Sequence, residues 1–146
     1  MEPQAKCPRM PAEYGVPSDT EKLLPCSYVN ERMATAKHFW LATVTPAGTP
    51  HLRAIDGMWL DEKLYFGGSP RAQWQRNLLA NPSACIHLED AEQAVILEGS
   101  VGIARPDRQL AERIVEASNE KYGQNQKVED YESVEVGEFS PGLAFA

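Results

Sequence analysis

The segment from His38 to Pro82 constrains the fold most: two tight strand connections follow one another, and a turn then delivers the last strand into a short helix. Thr45-Pro46-Ala47-Gly48-Thr49 puts Pro where a turn wants φ of about −65° and Gly where it wants positive φ, between two runs rich in aromatic and β-branched residues. This predicts a hairpin. The second connection, Asp61-Glu62, has only two residues and lacks the favoured Gly, so its place is defined while its turn type stays open. After Phe66 the chain changes character. Gly67-Gly68-Ser69-Pro70 offers flexible backbone, an N-cap hydroxyl at Ser69 and Pro at the first helical position, which predicts a helix from there to Asn81-Pro82. Free N–H groups at that helix start, beside Arg71 and Arg76, make a candidate anion site.

The flanking segments extend this pattern. Residues 1–25 hold five of the eleven prolines and show no sustained periodicity, so they read as an irregular arm attached to a domain spanning 26–146. Between Ser27 and Lys37, Val29, Met33 and Ala36, continuing to Trp40, recur at helical spacing and predict a short amphipathic helix before the first strand. That strand, from Phe39, is apolar on both faces, with Phe39 and Leu41 on one and Trp40, Ala42 and Val44 on the other. Such a strand is covered twice, by the core and by a ligand or partner subunit. Ala84, Ile86 and Leu88 mark a further strand. Residues 93–104 alternate cleanly, with Val95, Leu97, Val101 and Ile103 on the core side. A helix over 107–122 carries Leu110, Ile114, Val115 and Tyr122 on one stripe and meets Gly123 as its stop. A last strand over 132–146 is interrupted near Ser140-Pro141-Gly142. Many strands in hairpin order with few helices imply a mainly β fold, a closed or partly closed antiparallel barrel.

Composition limits the function. At 146 residues the chain makes one domain that buries roughly 68–70% of its unfolded surface and folds without staples. A net charge of −7 argues against broad nucleic-acid or anionic-membrane binding, so any phosphate site must be local. No apolar run is long enough to span a membrane and no signal-peptide pattern opens the chain, from which a cytoplasmic location is expected. Cys7, Cys26 and Cys85 form no Cys-x-x-Cys pair and read as reduced thiols. His38, His51 and His87 have no metal-ligand spacing, and no metal site is expected. Asp56 and Glu98 each break an apolar strand segment, which places them at a rim or beside a partner. No nucleophilic triad or Gly-rich nucleotide loop is legible, so no catalytic acid or base is assigned.

The pattern F-W-L-A-T-V-T-P-A-G-T-P-H, then M-W-L-D-E-K-L-Y-F, then S-P-x-x-x-x-x-R-N-L-x-x-N-P resembles the flavin-binding split-barrel proteins related to pyridoxamine 5′-phosphate oxidase. The likeness extends from Tyr14-Gly15-Val16-Pro17 to Lys121-Tyr122-Gly123 and so covers most of the chain. It implies a six-stranded antiparallel Greek-key split barrel with flanking helices, a homodimer, and FMN or an 8-hydroxy-5-deazaflavin coenzyme in a groove between subunits. By the same resemblance Arg53 falls on a phosphate-binding Arg of the second strand, and Ala54, Ile55, Asp56, Gly57 and Met58 on the segment that edges the flavin ring. Gly68 and Ser69 fall on the turn near the phosphate.

The family's basic pair in the following helix corresponds to Gln73 and Trp74, so both cations are missing. If each charge-assisted contact contributes roughly 1.5–3 kcal/mol, that loss weakens FMN by at least about a hundredfold unless Arg71 or Arg76, within about a turn, compensates. Trp74 is expected to pack at a subunit boundary rather than to stack on a flavin. Met58 stands where the pyridoxamine phosphate oxidases proper carry Lys, which argues against pyridoxamine phosphate as substrate. The expectation is a flavin-dependent oxidoreductase acting on a small organic molecule. The alternatives are a deazaflavin-dependent reductase and a non-catalytic module that holds flavin or haem.

Overall fold

The computed structural model describes residues 4–5, 11–15 and 23–146. Most of the expected arm at 1–25 lies outside the described residues; within it, β1 (Gln4–Ala5) and a 3-10 turn at Ala12–Tyr14 are defined. The remaining elements are α1 (Cys26–Thr35), β2 (Phe39–Val44), β3 (Pro50–Ile55), β4 (Met58–Leu60), β5 (Lys63–Phe66), α2 (Gln73–Ala80), β6 (Ser83–His87), β7 (Ile96–Ala104), α3 (Arg108–Tyr122), a 3-10 turn at Val128–Tyr131 and β8 (Val136–Phe145). Seven strands lie in the order β3-β2-β6-β7-β8-β5-β4, every neighbouring pair antiparallel, and β1 adds to β8 in parallel at Leu143 and Ala144. The sheet curls on itself with β3 and β4 as its two ends, joined by Asp56-Gly57. This is the split barrel that the sequence implies, with seven strands where six were expected.

Both predicted hairpins form. Gly48 sits at φ 85° and its N–H reaches the Thr45 carbonyl at 2.8 Å, while the Thr45 N–H reaches the Thr49 carbonyl at 2.9 Å. In the second connection Asp61 (φ 50°) and Glu62 (φ 59°) are both left-handed, which settles the turn as type I′. Two non-glycine residues hold this conformation because tertiary contacts anchor their side chains. Arg113 donates from both terminal nitrogens to Asp61, at 2.5 and 3.0 Å, and Asn30 donates to the Glu62 carboxylate at 3.1 Å.

The start of α2 departs from expectation. The Ser69 carbonyl accepts the Ala72 N–H at 2.8 Å and closes a separate turn, and Ala72 is extended, so the helix begins at Gln73. Ser69 is therefore not its N-cap: Ala72 stands there and has no side chain to cap with, and the Ser69 hydroxyl accepts the Arg71 N–H at 3.2 Å instead. Nor does Trp40 continue the apolar stripe of α1, because the helix ends at Thr35 and Trp40 lies on the outer face of β2. By contrast α3 matches its prediction closely, with the Asp107 side chain accepting the Leu110 N–H at 2.8 Å and Gly123 closing the C-terminus. The interruption expected near Pro141 is a register shift against β7 at Glu98/Gly99, within one continuous β8.

One core fills the barrel, where Phe39, Leu41, Leu64, Ile86, Leu97 and Phe139 are fully buried and α1 contributes Val29 and Met33. A second cluster, Met58, Tyr65, Ile114 and Val136, seats α3 on the outside of β4, β5 and β8. The two edges differ. β3 is exposed or half-exposed along its whole length, with Leu52 44% exposed.

Candidate functional site

A cleft of about 630 Å³ opens between the β3–β4 connection, the turn after β5 and the segment that follows α3. One wall is formed by Ala54, Ile55 and Asp56, continued by Met58; Gly67, Gly68 and Trp74 form the end towards α2. Among the described residues β3 pairs only with β2, so its far edge presents alternate N–H and C=O groups that can meet a ligand. The opposite wall was not foreseen as part of a site. It consists of Ser118 and Tyr122 from α3 and of Gln124, Gln126, Asp130 and Tyr131 beyond it. In the sequence Tyr122 belongs both to an apolar stripe and to the motif Lys121-Tyr122-Gly123, and the motif is the signal that marks it.

The two walls are tied at one point. The Tyr122 hydroxyl accepts the Gly57 N–H at 3.0 Å and lies 2.6 Å from the Lys37 carbonyl, to which it donates, and 3.0 Å from that of Gly57. Lys121 donates to the Ala36 carbonyl at 2.8 Å. Burial raises the Tyr122 pKa and lowers that of Lys121. Tyr131 is likewise raised by burial and donates to Gln126 at 3.0 Å, so the far wall presents neutral phenols and amides beside the carboxylate of Asp130.

Of the residues singled out from sequence, Ala54, Ile55, Asp56, Met58, Gly68 and Trp74 line this cleft, and Gly57 does not. Arg53, Ser69, Arg71, Gln73 and Arg76 do not line it. Arg53 is exposed and donates to the Leu52 carbonyl at 2.9 Å. Gln73 is engaged at both ends of its amide, accepting from Arg76 at 2.8 Å and donating to Asn77 at 2.7 Å; Asn77 in turn donates to Thr43 at 3.0 Å inside the barrel. Trp74 is buried, packs on Phe66 with ring centroids 5.2 Å apart, and touches Gly68 so closely that a Cβ there would lie 2.7 Å from its ring. His51 is opposite Thr43 in register. Its ring nitrogens are shut from solvent without a hydrogen-bond partner, and burial, then the Arg53 charge, lowers its pKa.

Among the described residues that line the cleft none is Lys or Arg, and the one nitrogenous base is His38, whose Nδ1 lies 3.1 Å from the Asp56 carboxylate. Among the described residues no cluster of His, Cys, Asp and Glu is arranged to hold a metal ion, and no helix is long and apolar enough to cross a membrane.

A family model for pyridoxamine 5′-phosphate oxidase matches residues 28–141, which includes every strand of the barrel except the end of β8. The chain belongs to the pyridoxamine 5′-phosphate oxidase-like family. Solved split barrels agree with it. An F420 reductase is 24% identical, with 79% of this chain and 94% of that one covered at a TM-score of 0.61. HutZ, the haem storage protein from Vibrio cholerae, is 19% identical over 82% of this chain and 92% of its own at 0.65. A NimC/NimA family protein from Clostridium acetobutylicum is 18% identical over 78% and 80% at 0.59. At such identities the likeness shows the fold. No curated protein matches the sequence. Within the family's barrel, function depends on the lining of the cleft, because one fold carries several chemistries.

Proposed function

We propose that the cleft holds a flavin-type cofactor, FMN or an 8-hydroxy-5-deazaflavin, and that the chain is an oxidoreductase for a small organic substrate other than pyridoxamine phosphate. The observation that carries this reading is the free edge of β3 at Ala54–Asp56, a row of backbone donors and acceptors beside a cleft of about 630 Å³ in a chain of this family. A ring system with alternating polar atoms on its edge fits such a row. The cofactor, when bound, supplies hydride chemistry, and the protein contributes orientation and a wall of neutral groups. Gly68 keeps the α2 end of the cleft open to the phosphate chain, while Ser69, Arg71 and Arg53 are the groups from which an anion contact would be drawn.

A second copy of the chain completes this arrangement. The outer face of β2 and β3 carries Trp40, Ala42, Val44, Leu52 and Ala54. Trp40 stacks on His87 at 6.2 Å, and Val44 (37% exposed) and Leu52 remain open to solvent. A strand apolar on both faces, beside an edge strand exposed on both, is the signature of a symmetric interface, and a homodimer buries it. The partner would also bring its own side chains to a cleft whose described lining holds no Lys or Arg.

The visible absorption spectrum of the purified protein tests the reading, together with mass spectrometry of whatever is released on denaturation. FMN or the deazaflavin is expected, or stoichiometric binding of one of them on titration. A Soret band with released haem, or no binding of either cofactor, would overturn it.

A further inference from the structure

The cleft contains one paired acid and base. His38 Nδ1 lies 3.1 Å from Asp56 Oδ1, and both residues line the wall beside the free edge of β3. The pair is built by the fold: His38 immediately precedes β2 and Asp56 immediately follows β3, whose first and last residues pair as Phe39 and Ile55. Tyr122 and Lys121 hold the backbone on both sides of it, through the carbonyls of Lys37 and Ala36 and the N–H of Gly57. The imidazole is 65% exposed, so it exchanges protons with solvent.

We propose that His38, oriented by Asp56, is the proton donor of this cleft. This rests on the flavin-type reading above. The reduced flavin-type cofactor would supply hydride to the electron-poor end of a conjugated double bond of the substrate, and His38 would deliver a proton from Nε2 of its imidazolium to the other end. One π bond would be replaced by two bonds to hydrogen, the cofactor would be left oxidised by two electrons, and neutral His38 would recover its proton from water. Asp56 is the positioning residue: accepting from Nδ1–H, it fixes the tautomer and directs Nε2 away from itself.

The competing donors on the walls are otherwise engaged. Tyr122 gives its proton to the Lys37 carbonyl and Tyr131 gives its own to Gln126, while the carboxylates of Asp56 and Asp130 accept. Across the neighbouring cleft His38 shares walls with Arg32, Lys37, Glu89 and Asp90, so cations and acids are evenly matched on that side. Arg32 is itself 3.8 Å from Asp90.

The test has a structural arm and a kinetic arm, both on the full chain. In the ligand-free protein, 15N NMR of the imidazoles, assigned with His38→Gln, should show the Nδ1–H tautomer for neutral His38 and a shift towards the mixed tautomers of free imidazole in Asp56→Asn. In the FMN-loaded protein, reduced anaerobically and mixed with menadione, the rate should fall as pH rises and the imidazolium is lost. His38→Gln should lower it about a hundredfold and remove that limb while FMN affinity stays within about twofold. Asp56→Asn should give a smaller rate loss with the limb retained. If wild type and His38→Gln reduce menadione alike at every pH, or the tautomer ignores Asp56, the proton-donor proposal is overturned and the flavin reading stands. If the wild type binds FMN but never reduces menadione, or binds no FMN, the reading fails and the proposal falls with it.

Discussion

The Tyr122 hydroxyl accepts the Gly57 N–H at 3.0 Å and donates to the Lys37 carbonyl at 2.6 Å, so the last residue of α3 fastens the β3–β4 connection to the segment that enters β2. These are the two segments that carry Asp56 and His38. Tyr122→Phe should leave the Gly57 N–H and the Lys37 carbonyl without this partner at a half-buried site, and cost about 1–3 kcal/mol. Urea denaturation should show a lower midpoint at unchanged slope. FMN affinity should fall as well, because the bond holds the cleft wall; a stability loss without any change in affinity would make the contact purely structural.

Tyr65 provides a pH test of the second core cluster. Burial, followed by the Glu138 carboxylate that accepts its proton at 3.1 Å, pushes the Tyr65 phenol up to about 12. A pKa raised on folding contributes stability that is present below the ordinary tyrosine value and lost as pH rises through the folded one. The structure should therefore weaken between about 10 and about 12. Absorbance titration at a tyrosinate wavelength should show a late component that Tyr65→Phe removes. Glu138→Gln should move it towards the ordinary value but not all the way, since burial is the larger cause; an unmoved component would mean that Glu138 does not face the phenol in solution.

The apolar face of β2 and β3 predicts assembly. Replacing Leu52 with Lys, on a strand already exposed, should leave the monomer fold intact while placing a charge at the centre of the proposed interface. Light scattering at micromolar concentration should return a dimer for the parent and a shift to monomer for the variant. A monomeric parent would remove both the dimer and a groove shared between subunits.

What could be read from sequence depended on the range of the interactions involved. The hairpin at Gly48, the cap at Asp107 and the alternation through Leu97 and Val101 are local, and the structure reproduces them. The type I′ turn at Asp61-Glu62 was not legible, because Arg113 and Asn30, which anchor it, lie far along the chain. The α2 start failed for a related reason. Ser69-Pro70 is a good local helix signal, but the Ser69–Ala72 turn uses it to bring Gly68 against Trp74, and that contact is tertiary. In the cleft, the β3 wall was legible through family motifs, whereas the far wall was legible only as the helix α3, and Gln124 to Tyr131 beyond it carry no pattern of their own.

The position of the phosphate is the sharpest remaining test of the cofactor reading, and the structure decides which variants can probe it. Installing the family's Lys at position 74 would bury a charge where Trp74 packs on Phe66 and Gly68, and should unfold the protein rather than build a phosphate site. Installing Arg at position 73 would break the chain from Arg76 through Gln73 and Asn77 to Thr43. Arg53 is the better probe. It is exposed, makes its one side-chain hydrogen bond to a neighbouring carbonyl, and shares its strand face with His51 and Ile55. Arg53→Ala should leave the melting temperature nearly unchanged and weaken FMN by about ten- to a hundredfold, as expected for losing one charge-assisted phosphate contact of roughly 1.5–3 kcal/mol. Riboflavin, which lacks the phosphate, should bind parent and variant equally in calorimetry. If FMN does too, the anion is held elsewhere, and Arg71 and Arg76 become the residues to replace next.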